Sequence, residues 1–112
     1  VKAGGEAKWK SLGEAGGREF EHPGKHRYSI QLELACEDST LEKAFAADPG
    51  RSHIWIAPYA FRGRRCYRVL WGRFADIGAA RTARGSVPAV FSRDGNRPAI
   101  VALGGKASGA KH

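Results

Sequence analysis

Apolar and polar residues alternate from Tyr28 to Leu34, with Ile30 and Leu32 on one face and Gln31 and Glu33 on the other. A period of two over this length predicts a half-buried strand. Ser39-Thr-Leu-Glu42 then has the spacing of a capping box, and the pattern Leu41, Ala44, Phe45 predicts a helix to about Ala47. Asp48-Pro-Gly50 stops it. A second strand is expected over Ser52 to Ala57, where Ile54 and Ile56 alternate with His53 and Trp55 and Pro58 marks an end or an edge. A loop through Gly63 leads to a third strand, Cys66 to Trp71, closed by Gly72. Asp76 caps a second short helix from Ile77 to about Arg84, weakened by Gly78. A turn at Asp94 to Pro98 precedes the last strand, Ala99 to Leu103.

The order βαββαβ predicts an α+β fold of the RNP or ferredoxin-like kind: a four-stranded antiparallel sheet with two helices on one face. The opposite face stays open, and binding modules of this topology work through it. The domain is expected at residues 28–103. Residues 1–27 are rich in glycine and charge and read as a linker or N-terminal extension, with a brief helix over Glu6 to Gly13 as the one local signal. Residues 104–112 read as a flexible tail. The opening Val1 fits an excised fragment, so targeting information would lie upstream.

Net charge is +8. Half of it lies in residues 28–103, where ten of the eleven basic side chains are arginine. Arginine favours planar, bidentate recognition over a diffuse field. The densest stretch, Arg62 to Phe74, has five arginines, three aromatics and no acid. Such a segment predicts a surface for a polymer that stacks and hydrogen-bonds. No Walker loop, HExxH, CxxC or nucleophile elbow is present, and the four histidines do not cluster with carboxylates, so no enzyme is expected and no cofactor is implied. No apolar run is long enough to cross a bilayer, so membrane association would need an upstream anchor.

Two motifs resemble the SPOR domain, the sporulation-related repeat of bacterial envelope and division proteins. Tyr28-Ser-Ile-Gln31 matches its opening, and Cys66-Tyr-Arg68-Val69-Leu-Trp-Gly72-Arg-Phe74 matches its aromatic-x-Arg-Val-x-x-Gly-Pro-Phe stretch, with Arg73 in place of the proline. The resemblance covers 76 of the 112 residues. It implies a periplasmic or cell-envelope module that binds peptidoglycan glycan strands, stripped of stem peptides, across the open face, and carries a parent protein to the septum or wall. Other division or envelope proteins would be further partners. It also carries Gln31 and Arg68 over as site residues. Cys66 stands where some members place a binding aromatic, and Leu34 where a small polar residue is usual.

Parity extends that list. With Arg68 outward, Tyr67, Val69 and Trp71 point into the helix layer, while Leu70 joins Arg68. Trp55 opposes Ile54 and Ile56 and is the candidate stacking platform; its competing fate is to fold against residues 1–27. Glu33 is expected outward, as a ligand contact or a cross-strand partner for Arg68. Cys36 ends strand one beside the start of strand three, so a Cys36–Cys66 disulfide worth ~3 kcal/mol is expected. It requires a bulge near Glu33 to Ala35, which would turn Leu34 outward beside Cys66 and Leu70. Two free thiols are the alternative. Two other functions stay open: single-stranded RNA binding, for which Gln31, Glu33, Arg68 and Leu70 make a poor stacking platform, and protein interaction through Leu34 and Leu70. A disulfide would weigh against a cytoplasmic RNA binder.

Overall fold

The computed structural model describes residues 2–48, 53–93 and 95–105, with side chains from residue 8 onward. Its elements are α1 (Lys2–Glu21), β1 (Tyr28–Ala35), α2 (Asp38–Ala46), β2 (Ile54–Phe61), β3 (Arg64–Phe74), α3 (Ile77–Arg84), a 3-10 turn (Ala89–Ser92) and β4 (Ala99–Ala102). The strands form one antiparallel sheet in the order β2-β3-β1-β4. The fold is α+β, a four-stranded antiparallel sheet flanked by helices, consistent with a ferredoxin-like sandwich. The expected helix stop at Pro49-Gly50, the strand start at Ser52, Asp94 of the last turn and the tail from residue 106 lie outside the described residues.

One face of the sheet holds the main core. Ile30, Leu32, Ile54, Ile56, Tyr67, Val69 and Trp71 pack there against Leu41 and Ala44 of α2, with Ala83 of α3 beside them. The inward parity of Tyr67, Val69 and Trp71 is as expected. Asp76 caps α3 as expected: its Oδ1 accepts from the Ala79 N–H at 2.8 Å. Ser39 does not cap α2. The helix starts earlier: Glu37 is the cap residue, and its carbonyl accepts from the N–H of Thr40 and Leu41.

Both hairpin strands outrun their expected ends. Pro58 sits inside β2, which tolerates it as an edge strand. β3 continues past Gly72, where φ is +69° and the register with β1 shifts. The Ser29 hydroxyl donates to the Gly72 carbonyl at 2.7 Å and holds that irregularity.

Residues 1–27 carry more than a linker. α1 is a 20-residue helix packed against β2. Its buried positions, Trp9, Gly13, Gly16, Gly17 and Phe20, recur with helical spacing. The glycines let backbone meet backbone: a Cβ on Gly16 would lie 1.6 Å from the Ile56 carbonyl oxygen, and one on Gly13 would lie 2.4 Å from the Tyr67 ring. Trp9 joins the main core and stacks on Phe45 of α2 at 5.4 Å. Phe20 belongs to a second cluster on the opposite face, with Ala57, Leu70 and Leu103. The helix therefore straddles the β2 edge and reaches both faces. Its own propensity is poor, because interior glycine costs about 1 kcal/mol relative to alanine; docking of Trp9 and Phe20 supplies what composition lacks.

Candidate functional site

The distal face of the sheet is the one turned away from α2 and α3. Ser29, Gln31 and Leu34 of β1, Trp55, Ala57, Tyr59 and Phe61 of β2, and Arg64, Cys66, Arg68 and Leu70 of β3 share it by register. Phe20 divides this face into two halves.

Around Trp55 the face is closed. Phe20 covers Leu70, which is 0% exposed, and lies 6.5 Å from the Trp55 ring. The Trp55 indole N–H donates to the Gly72 carbonyl at 3.0 Å, and the Arg73 guanidinium stacks over the ring at 4.3 Å. Glu19 of α1 approaches Arg73 at 3.7 Å. Trp55 is outward by parity, as expected, but half-buried against α1. Leu70 offers no surface to a ligand.

Around Arg68 the face opens by degrees: Gln31, Tyr59 and Arg68 are half-buried, and Phe61 and Arg64 beyond them are exposed. Arg68 donates through Nη1 to Gln31 Oε1 at 2.8 Å. Its guanidinium carbon lies 4.5 Å from the Tyr59 ring centroid and 5.0 Å from that of Phe20. Partial burial draws the Arg68 pKa down, and the Tyr59 phenol opposes that by favouring the cation. An arginine stays charged through such a shift. The result is a fixed cation with a ring on each side and one edge held by an amide.

The remaining expected site residues divide. Leu34 is outward, opposite Arg68 and half-buried. Cys66 is fully buried in a disulfide with Cys36, S–S 2.04 Å, so it closes the sheet end rather than contacting a ligand. The bulge that permits this lies between Gln31 and Glu33, slightly earlier than expected. It also corrects the expectation for Glu33. The extra residue puts Glu33 opposite Val69, on the helix side, in a crevice with Thr40, Lys43, Ala44 and Phe91. Burial there raises its carboxyl pKa. Gln31, not Glu33, is the cross-strand partner of Arg68.

Two members of the site, Tyr59 and Phe20, carry only weak sequence signals. Tyr59 continues the Trp55 parity through Pro58, and an edge proline does not break that phase. Phe20 was detectable only as the end of a small-residue helical stripe begun by Trp9.

The β2–β3 hairpin projects past β1, whose last partner on β3 is Tyr67. Its turn, Arg62 at φ +51° and Gly63 at +78°, carries Phe61 on one flank and Arg64 on the other. Arg64 Nη2 donates to the Cys36 carbonyl at 3.3 Å, next to the disulfide. Among the described residues, no group of three or more His, Cys, Asp or Glu side chains is placed to hold a metal ion, and no helix is long and apolar enough to cross a membrane. No family model, curated protein or solved structure matches this chain.

Proposed function

We propose that this chain is a non-catalytic module that binds peptidoglycan glycan strands stripped of stem peptides and targets a larger envelope or division protein to the wall. The observation that carries the reading is the Gln31–Arg68 pair. These are the two residues that the SPOR-like motifs single out, one from each motif, and they meet in one hydrogen bond on the distal face. Tyr59 supplies a ring for a pyranose next to the guanidinium and amide that would bond its hydroxyl and acetamido groups. The reading assigns binding to Arg68, Gln31, Tyr59 and Leu34, and gives Trp55, Leu70 and Cys66 supporting roles. The disulfide fits a periplasmic location.

Retention of the oxidised protein on intact and amidase-stripped sacculi, at roughly 150 and 500 mM salt, tests this. The expected result is salt-resistant retention on stripped sacculi, weakened about tenfold by Arg68→Ala. Retention that vanishes at high salt and ignores the substitution would reduce the interaction to a basic protein on an anionic surface. Tight binding to single-stranded RNA under the same conditions would replace the cell-wall reading.

A further inference from the structure

The cationic and aromatic side chains of the distal face do not stop at Arg68. Along the hairpin run Arg68, Tyr59, the Cys36–Cys66 bridge, then Arg64 beside Phe61, all on one face by register. Phe61 is 40% exposed, with the Arg62 guanidinium 5.2 Å from its ring. The disulfide fastens the base of the projecting segment, and the exposed Arg64 bond to the Cys36 carbonyl lies beside it. From Arg68 to Arg64 is four strand residues, ~14 Å. The ridge is therefore long enough for a linear polymer to run along it rather than touch it at one point.

The cations of the ridge favour an anionic ligand. A guanidinium donates and never accepts. The Gln31 carbonyl oxygen, an acceptor at the centre of the site, already takes one bond from Arg68. Glu33, which would have supplied an acidic acceptor, is turned to the helix side. A neutral sugar can exchange bonds with the Tyr59 hydroxyl and the Gln31 amide, but it offers an arginine one acceptor oxygen at a time. A carboxylate offers two, and accepts both parallel N–H groups of an arginine.

We infer that Arg64 and Phe61 form a second subsite, which reads a carboxylate on the polymer that Arg68 engages. This rests on the glycan reading proposed above. Hydrolysing the amide that joins a stem peptide to the glycan frees a carboxylate there, so stripping would create the charge that the ridge selects. Phe61 supplies a ring face for the neighbouring sugar, and Arg64 pairs with the acid.

The test uses stripped glycan strands and the same strands with carboxylates converted to primary amides, titrated against wild type, Arg64→Gln, Phe61→Ser and Arg68→Ala. Wild type should bind the acid form about tenfold more tightly than the amide. Arg64→Gln should lower acid-form affinity to the amide level, leave amide-form affinity unchanged, and leave the melting temperature in place; Phe61→Ser should weaken both forms. Equal binding of acid and amide, or an Arg64→Gln protein as tight as wild type while Arg68→Ala is weakened, overturns the subsite and leaves the glycan reading standing. Binding of neither form by wild type overturns the glycan reading itself. Competition by dextran sulfate as effective as by the glycan acid overturns the subsite in favour of indifferent polyanion binding.

Discussion

The two halves of the distal face have similar residues and opposite fates. Trp55 and Leu70 at one end, and Tyr59 and Arg68 at the other, all point the same way from neighbouring strands. At the first end Phe20 arrives from a helix 50 positions before Leu70 in the chain, and the surface becomes a small second core. At the other end the Phe20 ring flanks the Arg68 guanidinium at 5.0 Å, and the guanidinium, the amide and the Tyr59 ring stay half-exposed. Parity decides which face a side chain joins. It does not decide what lies over that face. An outward tryptophan is thus weak evidence of a platform until its neighbours from outside the sheet are known.

The largest effect should come from unseating α1. Gly16→Val drives a side chain into the Ile56 carbonyl and forces the helix off β2. Losing Trp9 and Phe20 burial should cost about 4 kcal/mol in urea unfolding. The Trp55 emission should shift red as the closed half opens. Gly24→Ala is the control for glycine loss alone; its site meets nothing within 4 Å but sits at φ +63°, so a small cost of about 1 kcal/mol is expected.

Cutting the staple of the open half comes next. Replacing Cys36 and Cys66 by serine should destabilise the fold by ~3.5 kcal/mol, read from the shift in urea midpoint against the oxidised protein. The loosened hairpin should also lose amide protection at Tyr59 to Tyr67, with little change in α3.

The smallest effect is electrostatic and belongs to the closed end, where β2 begins. Burial alone would raise the Asp48 pKa, but the carboxylate accepts from the backbone N–H of His53 and Ile54 at 2.9 and 3.1 Å and faces the His53 imidazole, and the net pKa falls below 3.8. A depressed carboxyl contributes stability that is complete above its unfolded value and fades as pH falls through its folded one. The Asp48 contribution should therefore fade as pH falls below the ordinary aspartate range, and Asp48→Asn should flatten that part of the stability profile.

The sequence made the sheet and α3 legible, because Ile30 and Leu32, Ile54 and Ile56, and Tyr67, Val69 and Trp71 repeat with a period of two and Asp76 offers a cap. It concealed most of α1, because between Trp9 and Phe20 the packed positions are Gly13, Gly16 and Gly17, which hydropathy scores as nothing. Their role comes from the Ile56 carbonyl they approach, and that carbonyl is not in the local sequence. It concealed the fate of Glu33 for a related reason: one bulge residue reverses the parity of everything after it. Gln31 and Arg68 were recoverable from the two motifs: Gln31 precedes the bulge on β1, and Arg68 alternates regularly with Leu70, the residue opposite Gln31.

A two-dimensional proton–nitrogen NMR titration with stripped glycan strands tests the division of the face most directly. The account predicts progressive shifts for the Arg68 side-chain N–H and the amides of Tyr59, Phe61 and Arg64, while the Trp55 indole N–H, held by the Gly72 carbonyl, stays in place. A moving Trp55 indole beside a stationary Arg68 would contradict it: Phe20 would then be a cover that the ligand displaces, and the half of the face that it closes would be the one that binds.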